Sequence, residues 1–337
     1  MRIVIPMAGM GKRLRPHTLT IPKPLIPIAG KTMIQRLVED IVKVCNTSIE
    51  EIAFVIGDFG KETEDKLVSI AETLGAKGKI YYQNEPLGTA HAILCAEETL
   101  TGPIVVAFAD TLFKADFSMD LDQDGIIWVK QVEDPKAFGV VKIGEDGYIT
   151  DFVEKPEEFV SDLAIIGIYY TRDGENLKSE LQYLLDNDIK DKGEYQLTNA
   201  LENMKNNGIK FTPVQINEWL DCGNKANTIY THQRILELKQ DEELVSSSSE
   251  MKNSVIIPPC FIGDNTVIEN SVIGPHVSIE ANSKVNNSVI KNSIIQANST
   301  IYNGNFSNSM VGNYAEYSGE TKELSIGDYC TNGPLKE

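Results

Sequence analysis

The side chains best suited to chemistry stand near the amino end. Gly9 and Gly11 follow directly on the apolar run from Ile3 to Met7, and Arg13, Arg15 and Lys23 follow the glycines. Glycine tolerates tight turns and lets backbone N–H groups come close to a phosphate. Pro16, Pro22, Pro24 and Pro27 fix φ around these cations and stiffen the loop. A strand end, glycines and held cations are the parts of a polyphosphate site. Two familiar phosphate motifs do not fit. A P-loop needs Ser or Thr after its lysine, and Lys12 is followed by Arg13; a dinucleotide fingerprint needs a third glycine where Leu14 stands. Asp110 closes another apolar run, from Ile104 to Ala109. A carboxylate at the mouth of a buried strand suits Mg2+, which takes hard oxygens from one or two carboxylates and from substrate phosphates. A helix N-cap is the competing role. Gln83 carries both a donor and an acceptor and can read a base edge in either direction, with Gly88 letting the backbone approach; a polar strand-to-helix turn is the competing role. His91 reads as a helix residue without catalytic duty.

These residues need strands to present them. Met33, Ile34, Leu37, Val38, Ile41, Val42 and Cys45 recur at helical spacing. Residues 51–56, 79–83 and 103–109 read as strands, 61–74 and 89–99 as helices, with Gly75 as a C-cap. This alternation predicts a Rossmann-like α/β domain with a mostly parallel sheet and helices on both faces. Ligands of such sheets sit beyond the carboxyl ends of the strands, where Gly9, Gln83 and Asp110 fall. Strands follow at 126–132, 138–143, 148–153 and 210–216, and a helix at 226–239 closes the domain.

The totals exclude several classes. A length of 337 residues favours two domains. The net charge of −18 argues against nucleic-acid and anionic-membrane partners, so an anionic substrate must be drawn by a local basic site. The five cysteines are scattered and form no C-x-x-C pair, which indicates neither a disulfide framework nor zinc. The lack of a leader or long apolar run sets a cytoplasmic expectation.

Beyond residue 239 the composition changes. A polar, serine-rich stretch, 240–252, reads as a linker between a catalytic domain of residues 1–239 and a second domain of residues 253–337. There Asn-Ser-Val-Ile recurs at 253, 270 and 287, a constant spacing of 17, and Ile262, Ile268, Ile273, Ile279, Val285, Ile290, Ile295 and Ile301 return every five or six residues. Three short strands per coil, each pointing one aliphatic inward, make a parallel β-helix. The pattern fades near Gly312, and residues 314–337 carry no readable signal.

The opening stretch resembles the sugar-1-phosphate nucleotidyltransferases, or NDP-sugar pyrophosphorylases, whose signature is G-x-G-x-R-L-x-P-x-T followed by P-K-P-L. Gly9-Met-Gly11-Lys-Arg13-Leu14-Arg-Pro16-His-Thr18 and Pro22-Lys23-Pro24-Leu25 match it, and the likeness extends over about residues 1 to 235. The repeat resembles the hexapeptide left-handed β-helix. The resemblance implies transfer of a nucleotidyl group from an NTP to a sugar 1-phosphate. It implies Arg13, Lys23 and Lys155 as catalytic cations and Ala8, Gly9, Gly11, Gln83, Gly88 and Thr89 as the nucleotide site, with Gln83 favouring uracil or thymine. It implies Gly139, Glu154, Lys155 and Gly167 on the sugar phosphate, and Mg2+ on Asp110 and Asp221. Glucose 1-phosphate is the first sugar expected. Ala109, Asn199 and Asn224 depart from the family's usual Gly, Asp and Thr. Guanylyl transfer to mannose 1-phosphate is the runner-up. A hexapeptide acyltransferase and a non-catalytic scaffold are the readings from other classes. The acyltransferase has only His276 to offer between coils, and the scaffold does not need the retained cations and carboxylates. The coils are expected to serve homo-oligomeric assembly.

Overall fold

A computed structural model of the chain describes residues 1–330 and Gly333; the rest of the expected C-terminal tail lies outside the described residues. The chain divides into two compact units, Met1–Thr231 and His232 onward.

The first unit is built on a sheet of nine strands among the described residues. Arg2–Pro6 lies at its centre, parallel to Glu51–Ile56 on one side and to Ile104–Ala107 on the other; Lys77–Tyr82 extends the parallel half. Every residue of Glu51–Ile56 is buried, as expected for a strand covered on both faces. The second half is antiparallel around Leu163–Thr171, which pairs with Ile104–Ala107, Gly125–Gln131 and Gly139–Ile143. The sheet is therefore mixed, and the parallel half carries the glycine-containing loop that follows Arg2–Pro6. Because the strands after Arg2–Pro6 are laid to one side and Ile104–Ala107 to the other, the chain reverses direction across the sheet there. That crevice is where open α/β sheets bind ligands.

Local chemistry fixes the helices. Met33–Cys45 starts at Thr32, whose hydroxyl accepts from Gln35 N at 3.2 Å, and stops at Asn46 with φ 48°. The helix expected over 89–99 ends at Leu94. After it, Ala96 and Glu97 donate to carbonyls three residues back, and the chain continues in tight turns. The helix Gly174–Asp186 was not singled out from sequence, although Leu177, Leu181 and Leu184 form its buried stripe and Asp173 caps it. A two-stranded ribbon, Thr111–Lys114 with Glu218–Asp221, stands apart from the main sheet.

The second unit is a stack of parallel coils with three faces, carrying five, four and four strands among the described residues. All eight aliphatics expected to point inward are at most 1% exposed. Asparagine recurs because each coil must turn sharply. Asn253, Asn270 and Asn287 all take positive φ, which asparagine tolerates better than most residues. Their side chains also bond from coil to coil, as Asn287 Nδ2 does to Asn303 Oδ1 at 2.6 Å. The repeat does not fade near Gly312. Lys284 pairs with Thr300 and Thr300 with Glu316, so the spacing drops to 16 and a fixed 17-residue template loses register. The serine-rich stretch is laid onto this stack. Leu244 O accepts from Ile262 N, and Ser246 N and Glu250 N donate to Ile262 O and Thr266 O, each at 2.8–2.9 Å. The end of the helix Lys225–Leu238 belongs to the same unit: His232 Nε2 lies 2.6 Å from Ser278 Oγ, and His276 Nε2 lies 3.1 Å from Glu237 Oε1. His276 thus serves as a packing contact. Among the described residues no helix is long and apolar enough to cross a membrane.

Candidate active site

The loop after Arg2–Pro6 is folded on itself by its own sequence. Gly11 takes φ +56°, a conformation in which a side chain is strained, and opens the short 3-10 helix Lys12–Leu14. A Cβ at Gly11 would lie 3.0 Å from Cβ of Lys23, so the glycine lets the two motif halves close on each other. Leu14 anchors the turn in the core, and Lys12, Arg13 and Arg15 stay exposed. Burial, then the charge of Lys225, hold His17 below its ordinary value, so it adds no cation to the loop near neutral pH. A Cβ at Gly9 would meet nothing within 4 Å, which leaves open space beside the loop.

Lys23 is presented by the short helix Lys23–Leu25, with Pro24 buried beneath it. Its ammonium donates to Asp110 Oδ2 at 2.7 Å, and its side chain is only 12% exposed. Asp110 follows the strand Ile104–Ala107 and precedes the strand Thr111–Lys114, so it caps no helix. The ribbon brings the second carboxylate alongside. Thr111 is the register partner of Asp221, and Cys222 N donates to Asp110 O at 3.0 Å. Asp221 is not a cap either. Asn224 takes that role, accepting from Asn227 N at 3.0 Å, while Asp221 accepts from Gly223 N at 2.9 Å and from the side chain of Asn227.

A cavity of about 450 Å³ opens beside these groups. Of the residues singled out from sequence, Arg13, Thr89, Asp110, Gly139, Glu154, Lys155, Gly167 and Asp221 line it; Ala8, Gly9, Gly11, Lys23, Gln83 and Gly88 do not. Lys155 Nζ lies 3.1 Å from Glu154 Oε1. The Lys155 backbone sits at φ 42°, a strained conformation for a residue with a side chain, which costs about 1–3 kcal/mol. It is held there from both sides: Lys155 N donates to Phe138 O at 3.0 Å, and the Lys192 ammonium donates to Lys155 O at 2.9 Å. A Cβ at Gly139 would come within 3.0 Å of Glu154 Oε2, so glycine keeps that carboxylate in place.

Four residues of the site were missed. Thr198 Oγ1 and Trp219 Nε1 are buried without a hydrogen-bond partner, and both residues line the cavity. Buried polar atoms are nearly always paired, so two orphans in one cavity wall mark a place for a polar ligand. Asn227 and Lys192 act through Asp221 and Lys155. Nothing in local sequence distinguishes them from surface polar residues.

The fold and site define a class, and the comparisons agree: the chain belongs to the nucleotidyl transferase family, whose model matches residues 3–237, and a GlmU-like C-terminal hexapeptide model matches residues 240–304. Among individual relatives, the bifunctional protein GlmU of Methanococcus maripaludis (strain C5) is 31% identical over 264 residues, 76% of this chain and 59% of its own length. The chain thus spans about three fifths of that relative. The low-salt glycan biosynthesis nucleotidyltransferase Agl11 of Haloferax volcanii is 29% identical over 248 residues, 71% of this chain and 67% of its own. A crystal structure of a UDP-glucose pyrophosphorylase complexed with UDP-glucose superposes with a TM-score of 0.58 at 26% identity, covering 70% of this chain and 98% of that one.

Proposed function

We propose that the protein transfers a nucleotidyl group from an NTP, UTP or dTTP being favoured, to a sugar 1-phosphate, glucose 1-phosphate first, giving an NDP-sugar and pyrophosphate. One observation carries this reading. Lys23 pairs with Asp110 at 2.7 Å, and Asp110, Asp221, Glu154 and Lys155 line one cavity. The UDP-glucose bound by the structural relative supports a uridine nucleotide and glucose.

An oxygen of the sugar 1-phosphate attacks the α-phosphorus in line. The bond from that phosphorus to its bridging oxygen breaks, and pyrophosphate leaves with the oxygen. The attacking phosphate is already ionised, so no protein nucleophile is needed, and catalysis rests on positioning and charge neutralisation. Arg13 steadies the five-coordinate phosphorus and the departing pyrophosphate. Lys23 holds the α-phosphate against the sugar phosphate, which Lys155 holds in turn. Ala8, Gly9 and Gly11 offer backbone to the triphosphate, and Gln83, Gly88 and Thr89 face the base. Gly139, Glu154 and Gly167 face the sugar, with Thr198 Oγ1 and Trp219 Nε1 free to bond its hydroxyls. Among the described residues no group of three or more His, Cys, Asp or Glu could hold a metal ion. Two carboxylates, completed by substrate oxygens, are the donor set that suits magnesium. Asp110 and Asp221 would hold the ion, which supplies charge neutralisation at the triphosphate. Residues 1–239 would house the reaction, and 253–337 would assemble the protein into a cytoplasmic homo-oligomer.

Asp110→Asn tests the metal role. The substitution keeps size and removes the charge, so the magnesium concentration for half-maximal pyrophosphate release should rise at least ~tenfold, a loss of about 1.4 kcal/mol. An unchanged magnesium titration would remove Asp110 from the site.

A further inference from the structure

The helix Thr89–Leu94, which follows the turn after Lys77–Tyr82, carries a histidine that the reaction above does not use. Gln83 Nε2 lies 3.1 Å from Gly88 O and 3.2 Å from His91 Nδ1. A carbonyl oxygen only accepts, so the amide atom facing Gly88 is the nitrogen; the opposite flip would set two oxygens together. The second amide hydrogen goes to His91 Nδ1, which is therefore the unprotonated ring nitrogen. The ring proton sits on Nε2, 4.0 Å from the weak acceptor Cys95 Sγ. The helix that carries the imidazole, Thr89–Leu94, is pinned where Ala90 N donates to Tyr195 O and Leu197 N to Thr89 Oγ1, each at 2.9 Å. Both hydrogens of the Gln83 amide are thus used inside the protein. What Gln83 has left to offer a base is Oε1, an acceptor.

We propose that His91 is a specificity-setting residue, which takes the Gln83 amide hydrogen that Gly88 O leaves over, so that only the amide oxygen is offered to the base, and which so selects bases bearing a ring N–H on their pairing edge. Uracil, thymine and guanine carry that hydrogen. Cytosine and adenine present an unprotonated ring nitrogen there and would face the oxygen lone pair to lone pair. Gly88 O already fixes which way the amide points; what His91 removes is the second amide hydrogen, which would otherwise be free to donate to an unprotonated ring nitrogen. The inference rests on the nucleotidyl-transfer reading and narrows its base.

The test uses the 337-residue chain with glucose 1-phosphate and UTP, dTTP, GTP, CTP and ATP, comparing wild type with His91→Asn and His91→Leu. Asn can place an accepting oxygen near the position of Nδ1, and Leu cannot. A site built around one hydrogen bond rejects a substrate lacking it strongly, so wild type and His91→Asn should prefer the best N–H base over CTP by at least ~100-fold. In His91→Leu that ratio should fall at least ~tenfold with an unchanged melting curve. CTP or ATP as the best wild-type nucleotide, or a full ratio kept by His91→Leu, would overturn the proposal. Calorimetric binding of the same five nucleotides reads the preference without turnover. Selective binding with no pyrophosphate formed would refute the transfer reaction and leave the role of His91 standing. If His91→Leu does not fold, His91→Ala makes the same comparison.

Discussion

Lys23→Ala should lower turnover by at least ~100-fold, the scale of losing one charge contact made in the transition state. The ammonium sits 2.7 Å from Asp110 Oδ2 in a loop whose prolines fix its path, so little reorganisation is needed to meet a phosphate. The fold should hardly notice. Asp110 keeps 37% of its side chain exposed and can be solvated once its partner is gone, so the cost to stability is about 1 kcal/mol or less. The loss should appear in kcat more than in the KM for NTP, because the contact is strongest when the sugar phosphate and the α-phosphate are drawn together at the five-coordinate phosphorus. A fall of less than tenfold, with an unchanged melting curve, would show that Lys23 only neutralises Asp110.

The second large effect concerns two glycines of the proposed nucleotide site that differ in what they avoid. Gly88 has φ +120°, and a Cβ there would lie 2.4 Å from Tyr195 O and 2.7 Å from Tyr195 N. Gly88→Ala must therefore push apart two backbone segments, at a cost of about 2–3 kcal/mol, and should displace Thr89 and the Gln83 turn with them. Melting should drop by several degrees and turnover with it. Gly9→Ala meets nothing within 4 Å, so the fold should be untouched while NTP binding weakens. The pair separates a glycine required by packing from one required by a ligand. Equal melting temperatures for the two variants would contradict this division, and so would unimpaired NTP binding by Gly9→Ala.

How far the sequence could be read depended on how local the determinants were. Gly11 and Lys23 lie within one contiguous motif, and the contact between them is set by a loop of a dozen residues. Asp110 was visible because an apolar strand ended on it. The solenoid was legible through self-similarity alone, until one residue dropped out of the repeat between Lys284 and Thr300. Asp221 was reached only through the family motif. What physically places it beside Asp110 is the pairing of Thr111–Lys114 with Glu218–Asp221, elements about a hundred residues apart that no local pattern connects. The roles of Thr198 and Trp219 depend on which of their atoms are left without partners, a property of packing. Lys192 and Asn227 act through a neighbour's carbonyl and carboxylate, and their residue types alone carry no such signal. The serine-rich stretch read as a linker because its composition is polar, yet a β-helix satisfies polar backbone between coils, and polar side chains on its surface cost nothing.

Pyrophosphate release tests the transfer reaction most directly. The 337-residue chain, with magnesium, is offered each of UTP, dTTP, GTP, CTP and ATP against glucose 1-phosphate, mannose 1-phosphate and amino-sugar 1-phosphates, with and without acetyl-CoA. Pyrophosphate should appear in step with an NDP-sugar, fastest with UTP or dTTP, and its rate should fall at least ~100-fold in Lys23→Ala. No pyrophosphate from any pair, with acetyl-CoA consumed in its place, would contradict nucleotidyl transfer and return the chemistry to the coils.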